Sequence, residues 1–345
     1  MTDLAETPER PKKSAKTIVI GLSGPSSSGK TTLARLLRTI FAVDNRVRTF
    51  IIHEDDFYHS DDKIPVTTTA KGELVQDWDT IGAIDVNFLA SALAYVREHG
   101  TLPPRLQSKE DQNEATDPGV TQAKIESISQ SVQARLSNSQ EYSKTAGSGT
   151  GEELPPLTVA ILEGFLLYAP PASENPSHIL RPVQENIDLP LFLPAPYDIV
   201  KQRREARSGY VTIGPAPTPL ERPLGDNHQQ HIAPSAVDLN EKDDAPPQDF
   251  WTDPPGYVDD IVWPRYVQDH AWLLIPEEDA SSKESLADRY AKSTTQSDEE
   301  LLRLAGKGVN MRNDAGVLVA PGQGEKPMTE ILDWAVDEVL RYLQI

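Results

Sequence analysis

The chain has 345 residues, a formal net charge of −20, 29 prolines and no cysteine. Such an acidic balance disfavours nucleic acid or an anionic membrane as partner, since either needs a basic surface to release counterions. The lack of cysteine excludes disulfides, thiolate zinc sites and thiol nucleophiles. With no signal-like apolar core near Met1 and no apolar run of ~18 residues, a soluble protein is expected, cytoplasmic or also nuclear.

In chain order, residues 1–16 read as a disordered, charged tail. Short β-rich runs then recur at Thr17–Leu22, Val47–Ile52, Leu157–Leu162, Asp188–Leu193 and Val317–Ala320. Helical patterns lie between them at Thr31–Phe41, Ala83–Val96, Tyr197–Arg207 and Met328–Leu343. Strands that are apolar on both faces and alternate with helices predict an α/β fold, a parallel β-sheet flanked by helices on both faces. Three polar segments interrupt the pattern, at about 103–156, 214–248 and 281–315, and read as mostly mobile insertions. The first could carry a surface helix over Ala123–Leu136, and the last a short one near Glu299–Leu304. The rest, about 200 residues, fits a single domain over 17–345.

The run Gly24-Pro25-Ser26-Ser27-Ser28-Gly29-Lys30-Thr31-Thr32 stands between the first strand and the first helix, the setting of a phosphate-binding loop. Backbone N–H groups of such a loop and the positive end of its helix surround nucleotide phosphates. Gly24, Ser26, Ser27, Ser28, Gly29, Lys30, Thr31 and Thr32 are the expected ATP contacts, with Lys30 on the terminal phosphates and the Thr31 hydroxyl on magnesium.

The second strand ends in His53-Glu54-Asp55-Asp56-Phe57-Tyr58, delivering carboxylates to the same sheet edge. A sugar hydroxyl attacking a γ-phosphate needs a proton acceptor. Asp55 is favoured, because Asp56 precedes bulky Phe57 and suits a capping role; the plainer alternative is that both acids form a solvated turn. The strand Thr158–Leu162 ends in Glu163, as a Walker B carboxylate would, so magnesium is expected on Thr31, Asp55 and Glu163. Arg203, Arg204 and Arg207 can close over the phosphoryl group as a lid, or simply complement a helix C-terminus. In Gln76-Asp77-Trp78-Asp79, Asp79 can accept from ribose hydroxyls and Trp78 can stack on a base; alternatively they are helix cap and core.

Together these residues resemble the uridine kinase-like group of P-loop kinases. The Asp55–Tyr58 stretch and Asp77-Trp78-Asp79-Thr80-Ile81-Gly82-Ala83-Ile84-Asp85 are shared with the wider group. Leu162-Glu163-Gly164-Phe165-Leu166-Leu167 and Pro255-Gly256-Tyr257-Val258-Asp259-Asp260-Ile261-Val262-Trp263-Pro264-Arg265-Tyr266 resemble the nicotinamide riboside kinases. That resemblance implies ATP and magnesium as cofactors and a small nucleoside as substrate. Phosphorylation of the 5′-hydroxyl of nicotinamide riboside is the implied activity. It also implies Asp55, Asp56, Phe57, Tyr58, Trp78, Asp79, Arg204 and Tyr210 around the nucleoside, with Arg203 and Arg207 on the phosphates. The Pro321-Gly322-Gln323 loop would lie near adenine, bringing Gly322 and Gln323 to the nucleotide. Trp78 replaces the tyrosine usual in animal members, and Ile81 a proline common in the wider group. Competing readings are a uridine/cytidine kinase, a regulatory nucleotide-binding protein and a catalytically dead scaffold; no Asn-Lys-x-Asp guanine signature supports a switch.

Overall fold

The computed structural model describes residues 16–42, 47–104, 106, 108, 117–138, 157–207, 209–212 and 250–345. The expected insertion at 214–248 lies outside the described residues, as do part of 103–156 and all of the expected tail except Lys16. The chain runs through β1 (Thr17–Ser23), α1 (Lys30–Phe41) and β2 (Val47–His53) into a 3-10 turn over Glu54–Phe57. A hairpin of β3 (Val66–Thr68) and β4 (Leu74–Gln76) leads to α2 (Val86–His99), α3 (Gln122–Asn138) and β5 (Leu157–Glu163). Next come the one-turn α4 (Arg181–Gln184), β6 (Leu189–Phe192), α5 (Tyr197–Glu205) and an antiparallel ribbon of β7 (Tyr210–Val211) and β8 (Phe250–Trp251). A π-helical turn at Val258–Val262 enters α6 (Trp263–His270), followed by α7 (Leu286–Lys292), α8 (Asp298–Ala305), β9 (Leu318–Val319) and α9 (Met328–Leu343).

The expected α/β architecture is present: β2, β5, β1, β6 and β9 form one parallel sheet in that order. Side chains alternate across it, so Ile18, Ile20 and Leu22 of β1 join a layer with α1, α3 and α9, while Val19 joins the opposite layer with α2 and α6. Both faces are thus covered, which is why β5 is buried along its whole length. Leu33, Leu36, Leu37 and Ile40 repeat at helical spacing and give α1 its buried face. Asp85 caps α2 by accepting from Phe88 N, and Gly100 ends that helix in a left-handed conformation with φ of 64°. Asp79 is therefore not the helix cap. Among the described residues, no helix is long and apolar enough to cross a membrane.

The segment 281–315 departs from the expected mobile insertion. It contains α7 and α8, whose Leu286, Leu301, Leu304 and Ala305 pack with Trp263 and Leu274 in the layer that holds α2. Each helix is short and its outer face charged, so the few apolar residues at helical spacing are diluted in the sequence. Ser285 and Asp288 make a reciprocal capping box for α7, and Ser297 caps α8. Likewise α3 was expected on the surface, yet Ile125, Ile128, Val132 and Leu136 pack in the layer shared with α1. Leu286 is 0% exposed, so Leu286→Ala is expected to lower the unfolding free energy by roughly 2 to 5 kcal/mol in urea titrations. A loss under about 0.5 kcal/mol, typical of a solvated position, would contradict this placement.

Candidate active site

The carboxyl ends of β1, β2 and β5 lie side by side, with His53 and Leu22 each in register with Glu163. Whatever follows these strands must share one crevice, as is usual at the strand tips of open α/β sheets. A cleft opens there. Ser26, Ser27, Gly29, Lys30, Thr31 and Thr32 line it from the glycine-rich loop, and Asp55, Tyr58, Trp78, Asp79 and Glu163 from the strand tips and the segment before α2. Arg204 lines it from α5, Arg207 from the turn that follows, and Tyr210 and Trp251 from the β7–β8 ribbon.

The loop geometry is dictated by its small residues. Gly24 has φ of 149°, and a Cβ there would lie 2.3 Å from the Leu193 carbonyl oxygen, so no larger residue fits without moving the backbone. Ser27 takes φ of 61° and Gly29 φ of 100°, turning successive backbone amides inward. No side chain caps α1, and the buried Ser27 and Ser28 hydroxyls have no hydrogen-bond partner. A buried polar group without a partner is costly, so the Ser27 hydroxyl, which lines the cleft, and the loop amides suit an anion. Lys30 Nζ donates to Pro25 O at 3.0 Å, folding back along the loop. Burial lowers the Lys30 pKa, opposed by the nearby Glu163 and Asp55 carboxylates.

The acids are held in distinct states. Glu163 Oε1 accepts from Thr31 Oγ1 at 3.1 Å and lies 2.7 Å from His53 Nδ1. Burial alone would raise Glu163, but the His53 hydrogen bond, together with Lys30 and Thr31, outweighs it and keeps the pKa low. Asp55 is pushed up to about 6 by burial and by the Glu163 charge, with Lys30 opposing. Glu54 is pushed up to about 8 by burial. Its Oε2 accepts from Phe165 N at 2.6 Å and Leu166 N at 3.1 Å, fixing the turn after β5. That contact needs Gly164, where a Cβ would sit 2.3 Å from Glu54 Oε2. Neither His53 nor Glu54 was picked out from the sequence; an acid and an imidazole at a strand tip carry no periodic signal.

The Thr31 hydroxyl and Glu163 carboxylate share one hydrogen bond, and the Glu163 charge acts on the neighbouring Asp55 carboxyl. This oxygen donor set fits magnesium, which takes one or two carboxylates and completes its shell with water and phosphate oxygens. Among the described residues, no group of three or more His, Cys, Asp or Glu side chains forms an all-protein metal cage, the arrangement magnesium seldom uses.

On the other side of the cleft, Arg204 is 7% exposed and forms the hub. It donates to Asp79 Oδ1 and Oδ2 at 2.9 and 3.0 Å, to Asp253 Oδ2 and Oδ1 at 2.7 and 3.2 Å, and to Ser26 Oγ at 2.9 Å. Its guanidinium also lies 5.1 Å from the Tyr210 ring and 5.7 Å from the Tyr257 ring. Asp79 is raised by burial and pulled back by Arg204. Arg203 donates to Ser27 O at 3.2 Å, and exposed Arg207 covers the Tyr210 ring at 5.2 Å. Trp78 packs edge-on to Tyr58 at 5.3 Å and tilted against Trp251 at 5.8 Å. Tyr257 Oη accepts from Trp78 N and donates to Gln76 O, which holds this stretch in place.

Some expected contacts fall elsewhere. Phe57 is buried against Phe88 at 5.1 Å and takes no part in lining the cleft, because the 3-10 turn points it into the core. Asp56, the next residue back, is half-buried and also outside the lining. Gly24 and Ser28 shape the loop from behind rather than line the cleft. Gly322 and Gln323 are likewise away from it: Gln323 Nε2 donates to Asn310 Oδ1 at 2.8 Å, and neighbouring Gly324 packs on the Pro194–Pro196 backbone. Asp253 and Trp251 were missed, since they stand outside the sequence motifs, and Phe165, though inside one, was given no site role.

No protein-family model matches the chain. It is 29% identical over 262 residues to nicotinamide riboside kinase of Schizosaccharomyces pombe, covering 75% of this chain and 82% of that protein. Over 264 residues it is 26% identical to nicotinamide riboside kinase of Saccharomyces cerevisiae, covering 76% and 81%. With nicotinamide riboside kinase 1 of Homo sapiens it shares 25% identity over 277 residues, 79% of this chain and 88% of that protein.

Proposed function

We infer that this chain, a member of the nicotinamide riboside kinase family, transfers the γ-phosphoryl group of ATP to the 5′-hydroxyl of nicotinamide riboside, giving nicotinamide mononucleotide. The observation that carries the reading is the convergence of Lys30, Asp55 and an aromatic wall on one cleft. The loop amides and Lys30 hold the phosphates, Asp55 accepts the proton of the attacking hydroxyl, and Asp79 accepts from the ribose. Each Asp79 oxygen keeps a lone pair beyond its bond to Arg204. Arg203 and Arg207 are the lid cations that stabilise charge spreading over the transferred group. Thr31 and Glu163, with Asp55 at their edge, would hold magnesium, which when bound neutralises phosphate charge. The nicotinamide ring of the riboside is a fixed cation, and aromatic faces attract it by ~0.5 to 2 kcal/mol each. Neutral uracil gains less.

A coupled ATP-consumption assay across nicotinamide riboside, uridine and cytidine tests the substrate. Nicotinamide riboside is expected to give the highest kcat/KM; preference for uridine would overturn the reading.

The raised Asp55 pKa fixes a pH limb. A base acts in its ionised form, so kcat/KM at low concentrations of both substrates is expected to rise about tenfold per unit below pH 6 and level off above it. In Asp55→Asn that limb should vanish. A limb unchanged by the substitution would belong to another group.

A further inference from the structure

Trp78 is the aromatic residue that the sequence marks for the base, but it is only 6% exposed. Tyr58 and Trp251 cover it, and its role is largely that of a wall stud. Trp251 is half-buried and retains surface in the cleft. It is also the direct cross-strand partner of Tyr210 in the β7–β8 ribbon, so the ribbon presents both rings at one position along its length.

The Trp251 ring is tethered. Its Nε1 donates to Asp253 Oδ1 at 2.8 Å, and the ring packs against Tyr257 at 5.7 Å and 62°, an edge-type contact. Asp253 in turn holds Arg204, and Arg204 holds Asp79. One chain of charge-assisted hydrogen bonds therefore runs from the indole to the carboxylate assigned to the ribose, setting the distance between ring wall and sugar site. Asp55, Asp79 and Glu163 line the cleft, but so do Lys30, Arg204 and Arg207, so the formal charges offset one another and it is the indole face that supplies a preference for a positively charged base.

Resting on the kinase function proposed above, we propose that Trp251 is a specificity-determining residue that selects nucleosides carrying a cationic aromatic base over uncharged ones, with Asp253 as its positioning residue. An indole has the strongest cation-attracting face of the aromatic side chains, so replacing it by an apolar residue of similar reach lowers the charge preference while keeping the wall apolar.

The test compares calorimetric dissociation constants for nicotinamide riboside and for its reduced, uncharged dihydropyridine counterpart in the full chain, as wild type, Trp251→Leu and Trp251→Phe, with circular dichroism to verify folding. In Trp251→Leu, affinity for the cation is expected to fall roughly two- to thirty-fold, while affinity for the neutral riboside changes less than about twofold. Trp251→Phe keeps a weaker aromatic face and should fall between wild type and Trp251→Leu. If the leucine variant does not fold, the phenylalanine variant carries the test through a smaller shift in the same direction. Equal changes for both ribosides in a folded variant, or no change for either, would mean that Trp251 is structural and would overturn this assignment alone. A wild-type chain that binds no nicotinamide riboside would overturn the kinase reading and this assignment with it.

Discussion

Asp55→Asn is expected to lower kcat by roughly 10²- to 10⁴-fold while the KM for nicotinamide riboside stays within about threefold. The amide keeps the size of the side chain and an acceptor oxygen, so it can still orient the 5′-hydroxyl, but it cannot take the proton. Asp55 is suited to that step because burial and the Glu163 charge push its pKa up to about 6, near the pH at which a base must work. Asp56→Asn provides the contrast: it stands beside Asp55 but outside the cleft lining, and its kcat should remain within a few-fold of wild type. Steady-state kinetics on both variants decide the matter. A kcat for Asp55→Asn within about threefold of wild type would remove Asp55 from the proton-accepting role.

Arg204→Met is expected to cost roughly 3 to 5 kcal/mol of stability, the range for breaking a buried ion pair from one side. The substitution keeps the length of the side chain but leaves Asp79 and Asp253 facing each other across an uncompensated gap. It also frees Ser26 Oγ, so the glycine-rich loop loses its tie to the nucleoside side of the cleft. Arg204→Lys should recover only part of the loss, because an ammonium cannot bridge two carboxylates with the planar fork of a guanidinium. Adding Asp253→Asn to Arg204→Met should restore stability by removing one of the two stranded charges. Urea titrations read all three. A loss below about 1 kcal/mol in Arg204→Met would mean that the pair behaves like a surface salt bridge.

For the two arginines of α5 and Arg207 just beyond it, the sequence offered a common lid role, and the folded chain divides them. Position 204 faces inward and is saturated by carboxylates, whereas 203 and 207 are exposed beside the loop and Tyr210. Helical spacing puts 203 or 204 on one face with 207 but says nothing of where Asp253 will arrive, 49 residues beyond Arg204. The same reasoning explains Trp251, whose place depends on pairing with Tyr210 across a long separation in sequence.

What could be read locally was read well. The core strands β1 and β5 are near-continuous apolar runs, and the glycine-rich loop is specified by residues a few positions apart, so their placement and convergence follow from the α/β pattern alone. The sequence failed where burial depends on partners rather than on local composition. Helices α7 and α8 look polar because each contributes only a few apolar residues, yet those residues reach the core through α6. Phe57 looked like part of a substrate motif because it adjoins Asp55, but a 3-10 turn sends neighbouring side chains in different directions. Glu54 depends on the missing side chain of Gly164, a contact between residues 54 and 164 that no local pattern encodes.

The proposed reaction is phosphoryl transfer to a pyridinium riboside in the cleft lined by Lys30, Asp55 and the aromatic wall. The most direct test is to incubate the purified chain with magnesium, ATP labelled in its γ-phosphate and nicotinamide riboside, and to identify the labelled product. Label on the 5′-oxygen of nicotinamide mononucleotide, lost when a 5′-deoxy riboside is supplied instead, is the predicted result. Label that stays in ATP and inorganic phosphate, or that passes to uridine in preference to nicotinamide riboside, would contradict it.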